Sequence, residues 1–167
     1  MRFPQDLLWG SASADFQYEG GFGEGGREPI TSDYVTDGNV NTPRMMTYVL
    51  PDGTTGETPM RTSMPEGAVG AFLPGKYYPS HQAVDFYHHY KEDIALLAEM
   101  GLNCMRFSIC WGRVFPKGIE TEPNEEGMKF YEDVVDECLK YNIQPLITIC
   151  HDEVPVYLAS NHQGWLW

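Results

Sequence analysis

The sequence predicts an α/β fold assembled from β/α units, and three observations predict it. From Leu102 onward short apolar runs alternate with helical stretches: a run at Cys104 to Ile109, a stretch from Asn124 to Tyr141, and a second run at Gln144 to Ile149. Both runs are near-continuously apolar, as strands are when helices cover both faces of a parallel sheet. Ahead of them stand another helical pattern and a further candidate strand, so the order reads strand, long loop, helix, strand, helix, strand.

The first strand is expected at Leu7 to Ala12. From about Gly20 to Lys76 the chain is rich in Gly, Pro, Thr and Ser with little periodicity, and it reads as one long insertion without structure of its own. Insertions of that length are usually functional, because loops carry sites on a rigid scaffold. The next helix runs from Ser80, a candidate N-cap, to Gly101, a stop, with Val84, Tyr87, Ile94, Leu97 and Ala98 on its apolar stripe and Lys91, Glu92 and Glu99 opposite. The second follows the cap-like pair Pro123-Asn124, with a stripe through Met128, Tyr131, Val135 and Cys138. It ends near Asn142, a residue that tolerates the left-handed conformation.

Three such units within 167 residues fall short of a closed (β/α)₈ barrel, which needs eight strands and typically about 250 residues. The fold expected is therefore an incomplete barrel, the first three units of eight. An open sheet leaves unpaired backbone groups at its edge, so self-association through that edge is an expected consequence.

Composition narrows the function. With 24 acidic against 11 basic residues the formal charge is −13, which repels nucleic acid and anionic lipid at long range. A local cluster of Lys and Arg can still hold a small anion against that field. The residues include no apolar run near the roughly 18 that a membrane helix needs, and a cytoplasmic protein without membrane partners is expected. Cys104, Cys110, Cys138 and Cys150 have no Cys-x-x-Cys or zinc-type spacing and read as reduced core residues. No dinucleotide fingerprint follows a strand, and the glycines of Gly20 to Gly26 lack the Lys-Ser/Thr ending of a phosphate loop. Neither a metal nor a cofactor is expected.

Several residues could carry chemistry. His151 follows an apolar strand, at the carboxyl end where parallel α/β folds build their sites. It reads either as a donor and acceptor for sugar hydroxyls, with Asp152 and Glu153, or as a loop histidine between solvated acids. Arg106 lies within a strand buried on both faces and needs an anionic or multiply hydrogen-bonding partner. A carboxylate at a barrel centre or a structural salt bridge would each satisfy it. Gln17 and Glu19 follow the first strand, and the planar amide of Gln17 can both give and take hydrogen bonds with adjacent hydroxyls. Trp9, Trp111, Trp165 and Trp167 could stack on pyranose faces, though tryptophans are more often core residues. His81, His88 and His89 read as surface or capping residues.

Taken in order, five segments resemble family 1 glycoside hydrolases: Leu8-Trp9-Gly10-Ser11-Ala12-Ser13-Ala14; Gln17-Tyr18-Glu19-Gly20; Phe86-Tyr87-His88-His89-Tyr90-Lys91-Glu92-Asp93-Ile94; Arg106 through Pro116; and His151-Asp152-Glu153-Val154-Pro155. The stretch Lys76-Tyr77-Tyr78-Pro79-Ser80-His81 resembles the bacterial 6-phospho-β-glucosidase branch. The resemblance implies a (β/α)₈ barrel, the TIM barrel, that hydrolyses β-glucosides or 6-phospho-β-glucosides with retention and without a cofactor. It implies that Gln17 and His151 hold sugar hydroxyls and that Arg106 positions the nucleophile.

The same resemblance puts the acid/base and nucleophilic glutamates after the fourth and seventh strands, beyond residue 167. No residue here receives either role, the phosphate-binding residues also lie further on, and the chain alone is expected to be inactive. The alternative is a remnant that binds sugar weakly or only self-associates. Two positions depart from the family pattern. Asp15 stands where a small residue is usual, and Asp152 where an aromatic residue normally follows the histidine and walls the pocket.

Overall fold

The computed structural model describes residues 3, 4, 6–162 and 164–166. Its centre is a parallel three-stranded sheet of β1 (Gly10–Ala12), β5 (Cys104–Ser108) and β6 (Gln144–Thr148), in that order across the sheet. Gly10 is opposite Cys104, and Cys104 is opposite Gln144, so the three carboxyl ends lie side by side. Between β1 and β5 come a single turn of helix α1 (Asp15–Tyr18), a second sheet of β2 (Met45–Val49), β3 (Thr55–Pro59) and β4 (Val69–Gly70), and the long helix α2 (Phe86–Glu99). The short helix α3 (Trp111–Val114) and the long helix α4 (Glu125–Lys140) join β5 to β6, and α5 (Val156–His162) follows. The parallel order and the helical crossovers agree with the expected β/α units, and among the described residues the sheet does not close.

Packing of α2 and α4 on one side of this sheet makes the core. Phe86 and Ile94 of α2, Met105 and Phe107 of β5, and Phe130, Tyr131, Val134 and Cys138 of α4 belong to one buried cluster. The stripe of α4 keeps Tyr131 and Cys138 in the core as expected, with Val135 packed against it, and adds Phe130 and Val134, while Met128 is exposed. Gly127 lets α4 approach α3 closely, because its bare Cα faces the backbone of Arg113, and a Cβ there would lie 2.3 Å from the Arg113 carbonyl oxygen.

Three local expectations are corrected. The first strand is only Gly10–Ala12 rather than Leu7 to Ala12, because its partner begins at Cys104 and the Trp9 carbonyl instead accepts the amides of Asn103 and Cys104. Helix α2 starts at Phe86, not after Ser80. Pro79 sets a 3₁₀ turn over Pro79–His81, the Ser80 hydroxyl donates to Asp33 Oδ1 at 3.0 Å, and Asp85, left-handed at φ 61°, precedes the helix. Val84 consequently lies outside the helix and is exposed. Gly101 and Asn142 do take the left-handed conformation that ends each helix.

The long insertion is not structureless. It folds into the antiparallel sheet with order β3-β2-β4 and a 3₁₀ turn over Thr31–Tyr34. The β2–β3 hairpin closes on Pro51-Asp52-Gly53, where Asp52 Oδ1 accepts the Thr54 amide at 2.8 Å and Gly53 adopts φ 86°. Thr47, fully buried in β2, donates to the Ala71 carbonyl at 2.7 Å and lies 2.9 Å from the Tyr78 hydroxyl.

Strand β5 is buried on both faces as expected, whereas β6 is not: Leu146 and Ile147 are exposed, and so is Ile149 just beyond it. Among the described residues β6 has β5 as its single neighbour, so its free edge and part of each face, at Leu146 and Ile147, meet solvent. Cys104, Cys110 and Cys138 are buried free thiols, while Cys150 is exposed rather than core.

Candidate functional site

The carboxyl ends of β1, β5 and β6 converge, and the residues that follow them build the site. After β1 the chain turns at once into α1, and Ser13 donates its amide to the Arg106 carbonyl at 3.0 Å. In this one turn Asp15 and Tyr18 point inward, while Gln17 is left exposed. After β6, residues 149–151 lead to His151, and the following segment is stitched to the insertion: Thr31 donates its amide to the Val154 carbonyl, and Val156 to the Pro29 carbonyl.

Gln17 and His151, 134 positions apart in the chain, line one cavity of about 620 Å³ together with Phe16, Asp152, Ser80, Arg44 and Arg61. Such a volume accommodates a small ligand. The insertion contributes Arg44 and Arg61 through the second sheet, and no carboxylate lies within 4.0 Å of either guanidinium among the described residues. These two cations in a chain of charge −13 were not singled out in the sequence, because only the folding of the insertion brings them to the cavity.

Arg106 lies half-buried behind the cavity and meets neither of its two expected partners. Its Nε donates to Thr148 Oγ1 at 2.7 Å, and its Nη1 reaches the Ser13 carbonyl at 3.4 Å and His151 Nδ1 at 3.3 Å. A guanidinium can only donate. His151 Nδ1 therefore accepts, which leaves Nε2 as the proton-bearing nitrogen of the ring and a donor for a hydroxyl. Arg106 Nη2 makes no hydrogen bond among the described residues. Phe16 packs edge-on against the His151 ring at 6.0 Å. Asp152, at the place of the aromatic wall, is exposed and left-handed at φ 70°, and it lines the cavity without supplying a stacking face.

Apart from the exposed Asp152, the carboxylates around this cavity are structural or sequestered. Glu19 is not beside Gln17 in function: its Oε1 accepts Arg113 Nε at 2.7 Å and its Oε2 accepts the Tyr131 hydroxyl at 2.5 Å, all three side chains being buried. Arg113, missed by sequence reasoning, also donates to the Glu24, Gly20 and Gly21 carbonyls and lies 4.1 Å from the centre of the Tyr87 ring. Arg27 and Asp33 form a second buried pair through two hydrogen bonds of 2.9 and 3.0 Å. This pair organises the 3₁₀ turn, since Asp33 Oδ2 also accepts the Ile30 amide at 2.8 Å.

Glu153 is 1% exposed, and its Oε1 takes the His151 amide at 3.3 Å. Burial first, then the negative charge of Asp15, pushes its carboxyl up to about 9. A carboxyl so displaced in an enzyme cleft would normally be read as a general acid. Glu153, however, does not line the cavity and faces Asp15 instead.

Of the remaining candidates, Trp111 stacks on Phe115 at 4.8 Å and meets Trp165 edge-on, Trp9 packs on Phe3, and Trp167 lies outside the described residues. His81 is no surface histidine: it stacks on Phe22 with centroids 3.9 Å apart, and its Nε2 is 3.1 Å from the Asp33 carbonyl. His88 and His89 are exposed, as expected. No helix is long and apolar enough to cross a membrane, and no group of three metal-type side chains is assembled, both among the described residues.

Comparison with known proteins matches residues 1–48 and 74–166 to the family described as glycosyl hydrolase family 1. The unmatched residues 49–73 are the outer part of the second sheet. The aryl-phospho-beta-D-glucosidase BglA of Bacillus subtilis is 46% identical over 97% of this chain and 29% of its own length. The 6-phospho-beta-glucosidase AscB of Escherichia coli is 42% identical over 98% and 31%. The chain thus spans about 30% of the length of the curated relatives it matches. Among solved structures, rice Os3BGlu6 beta-glucosidase superposes with a TM-score of 0.69 at 30% identity over 99% of this chain and 28% of its own. Aphid myrosinase does so with 0.67 at 26% identity, over 99% and 29%.

Proposed function

Because the chain belongs to glycosyl hydrolase family 1, we propose that it supplies the sugar-binding side of a retaining β-glucosidase active site, acting on β-glucosides and in particular on 6-phospho-β-glucosides. One observation carries this reading: Gln17 and His151, brought together from distant parts of the chain, line one cavity, with Arg106 donating to the His151 ring. An amide and an imidazole N–H lining the same cavity can give and take hydrogen bonds with the hydroxyls of one sugar. The free Nη2 of Arg106 is suited to a carboxylate, and on this reading it positions the nucleophile.

Retaining hydrolysis uses two carboxyl groups about 5 to 5.5 Å apart and needs no cofactor. We assign neither carboxyl to this chain. Glu19 is committed to Arg113 and Tyr131, and Glu153 is turned toward Asp15. The names of the bacterial relatives support the phosphorylated substrate. A sugar phosphate does not cross membranes unaided, which supports a cytoplasmic site of action.

Titration with methyl β-glucoside and its 6-phosphate, followed by tryptophan fluorescence, tests the reading. His151→Ala and Gln17→Ala should each weaken binding by roughly two- to tenfold, the range of one neutral hydrogen bond. Unchanged affinity in both variants would sink the assignment. The chain by itself should not turn over p-nitrophenyl β-glucoside 6-phosphate, and turnover abolished by Glu153→Gln would contradict the carboxylate assignment. The exposed flank of β6 favours a second property, self-association through the sheet edge.

A further inference from the structure

Asp15 and Glu153 are the two carboxylic acids behind the cavity wall, 2% and 1% exposed. Neither meets a cation: among the described residues no Lys, Arg or His nitrogen lies within 4.0 Å of either carboxyl. The partners they do have are neutral and account for one oxygen each. Ser108 Oγ donates to Asp15 Oδ1 at 2.5 Å while accepting the Asp15 amide at 2.8 Å. Glu153 Oε1 accepts the His151 amide. The other oxygens, Asp15 Oδ2 and Glu153 Oε2, are buried with no hydrogen-bond partner, although the two side chains are within hydrogen-bonding reach of each other.

Two adjacent buried carboxylates cannot both stay ionised, and like charges in such a site raise one proton affinity strongly. One proton placed between the orphaned oxygens satisfies both. The surrounding titratable groups reinforce this. From the end of α1 Glu19 adds negative charge, though it is neutralised by Arg113; Tyr18 and Cys110 are buried thiol or phenol groups whose own ionisation is suppressed by burial; and Cys150, Asp152 and the His151 ring flank Glu153 on its own segment. Arg106 of β5 donates to the Ser13 carbonyl and the His151 ring on the same two segments, but its guanidinium nitrogens lie beyond 4.0 Å of both carboxyls.

We propose that Asp15 and Glu153 share a single proton in an acid–acid hydrogen bond that ties the turn bearing Gln17 to the segment bearing His151, so that the spacing of the two cavity residues depends on pH. Asp15 lies two positions before Gln17, and Glu153 two after His151. Both are positioning residues. When the proton leaves, two buried anions face each other, and the turn and the segment separate. The consequence for sugar binding rests on the proposed roles of Gln17 and His151; the shared proton does not.

The sign follows from linkage. Folding raises the affinity of the pair for a proton, so its contribution is fully present below the ordinary carboxylate range and is lost as pH rises from about 4.5 toward about 9. In the 167-residue chain labelled with ¹³C at carboxyl carbons, one step of the Glu153 titration should fall near pH 9, and the His151 amide shift should follow it. Glu153→Gln keeps a donor toward Asp15 but cannot titrate. It should abolish the His151 amide step and flatten the decline of melting temperature between pH 5 and 9 relative to the parent chain. Asp15→Ala should lower the Glu153 step while leaving the part of the rise that burial causes.

A Glu153 carboxyl that titrates between pH 4 and 5 in the parent chain overturns the proposal, as does a Glu153→Gln chain whose stability profile parallels the parent. If Glu153→Gln does not fold, the carboxyl shifts of the parent decide alone. Affinity for methyl β-glucoside should fall severalfold between pH 7 and 9.5 in the parent and hold in Glu153→Gln. Absence of glucoside binding at every pH would overturn the roles of Gln17 and His151 and the coupling to them, while the carboxyl shifts would still judge the shared proton.

Discussion

Arg113 Nε lies 2.7 Å from Glu19 Oε1, with both side chains shut away from solvent, and this contact joins the start of the chain to α3 across 94 positions. Breaking a buried pair costs far more than forming it gains, because the remaining charge is stranded. Arg113→Ala should therefore destabilise the chain by about 3–5 kcal/mol in urea denaturation. Arg113→Lys should recover little of this, since a single ammonium cannot reach Glu19 and the Glu24, Gly20 and Gly21 carbonyls together.

Gly127 tests packing against propensity. In an exposed helix Gly→Ala stabilises by about 1 kcal/mol. At Gly127 the new methyl would stand 2.3 Å from the Arg113 carbonyl oxygen, and backbone cannot yield as a flexible side chain can. Gly127→Ala should lower the melting temperature, and a rise would show that α4 can shift without cost.

Thr47 decides whether the second sheet is a unit. Its hydroxyl serves the Ala71 carbonyl and the Tyr78 hydroxyl, and Thr47→Val leaves both buried groups short of a partner, a loss of about 1–3 kcal/mol. Limited proteolysis should then cut residues 49–73 faster, while protection of α2 and α4 is unchanged.

The outer flank of β6 is the place to test association. With Leu146 and Ile147 exposed beside a free strand edge, the sedimentation coefficient should rise with concentration, and Ile147→Lys should suppress the rise by placing a charge in the contact. Concentration-independent sedimentation of the parent chain would remove self-association as a property.

Much of this was legible in the residues alone. Apolar runs at Cys104 and Gln144 and the stops at Gly101 and Asn142 determined the parallel β/α order, because strand burial and left-handed stops are local demands on residue type. The place of His151 after a strand followed from that order, and the five ordered segments pointed to the family. The turn Pro51-Asp52-Gly53 between Met45–Val49 and Thr55–Pro59 was a readable hairpin signal inside what otherwise reads as a structureless insertion.

What only the tertiary structure decided is where the polar side chains go. Gln17 and Glu19 are two residues apart, yet one reaches the cavity and the other a buried arginine, because a single helical turn sends them to different sides. Arg44 and Arg61 reach the cavity through a second sheet, and Asp15 meets Glu153 across 138 positions of chain. Hydrogen bonds and charge pairs act over a few ångströms of space, and sequence periodicity reports which face a residue occupies but not which distant residue stands opposite it.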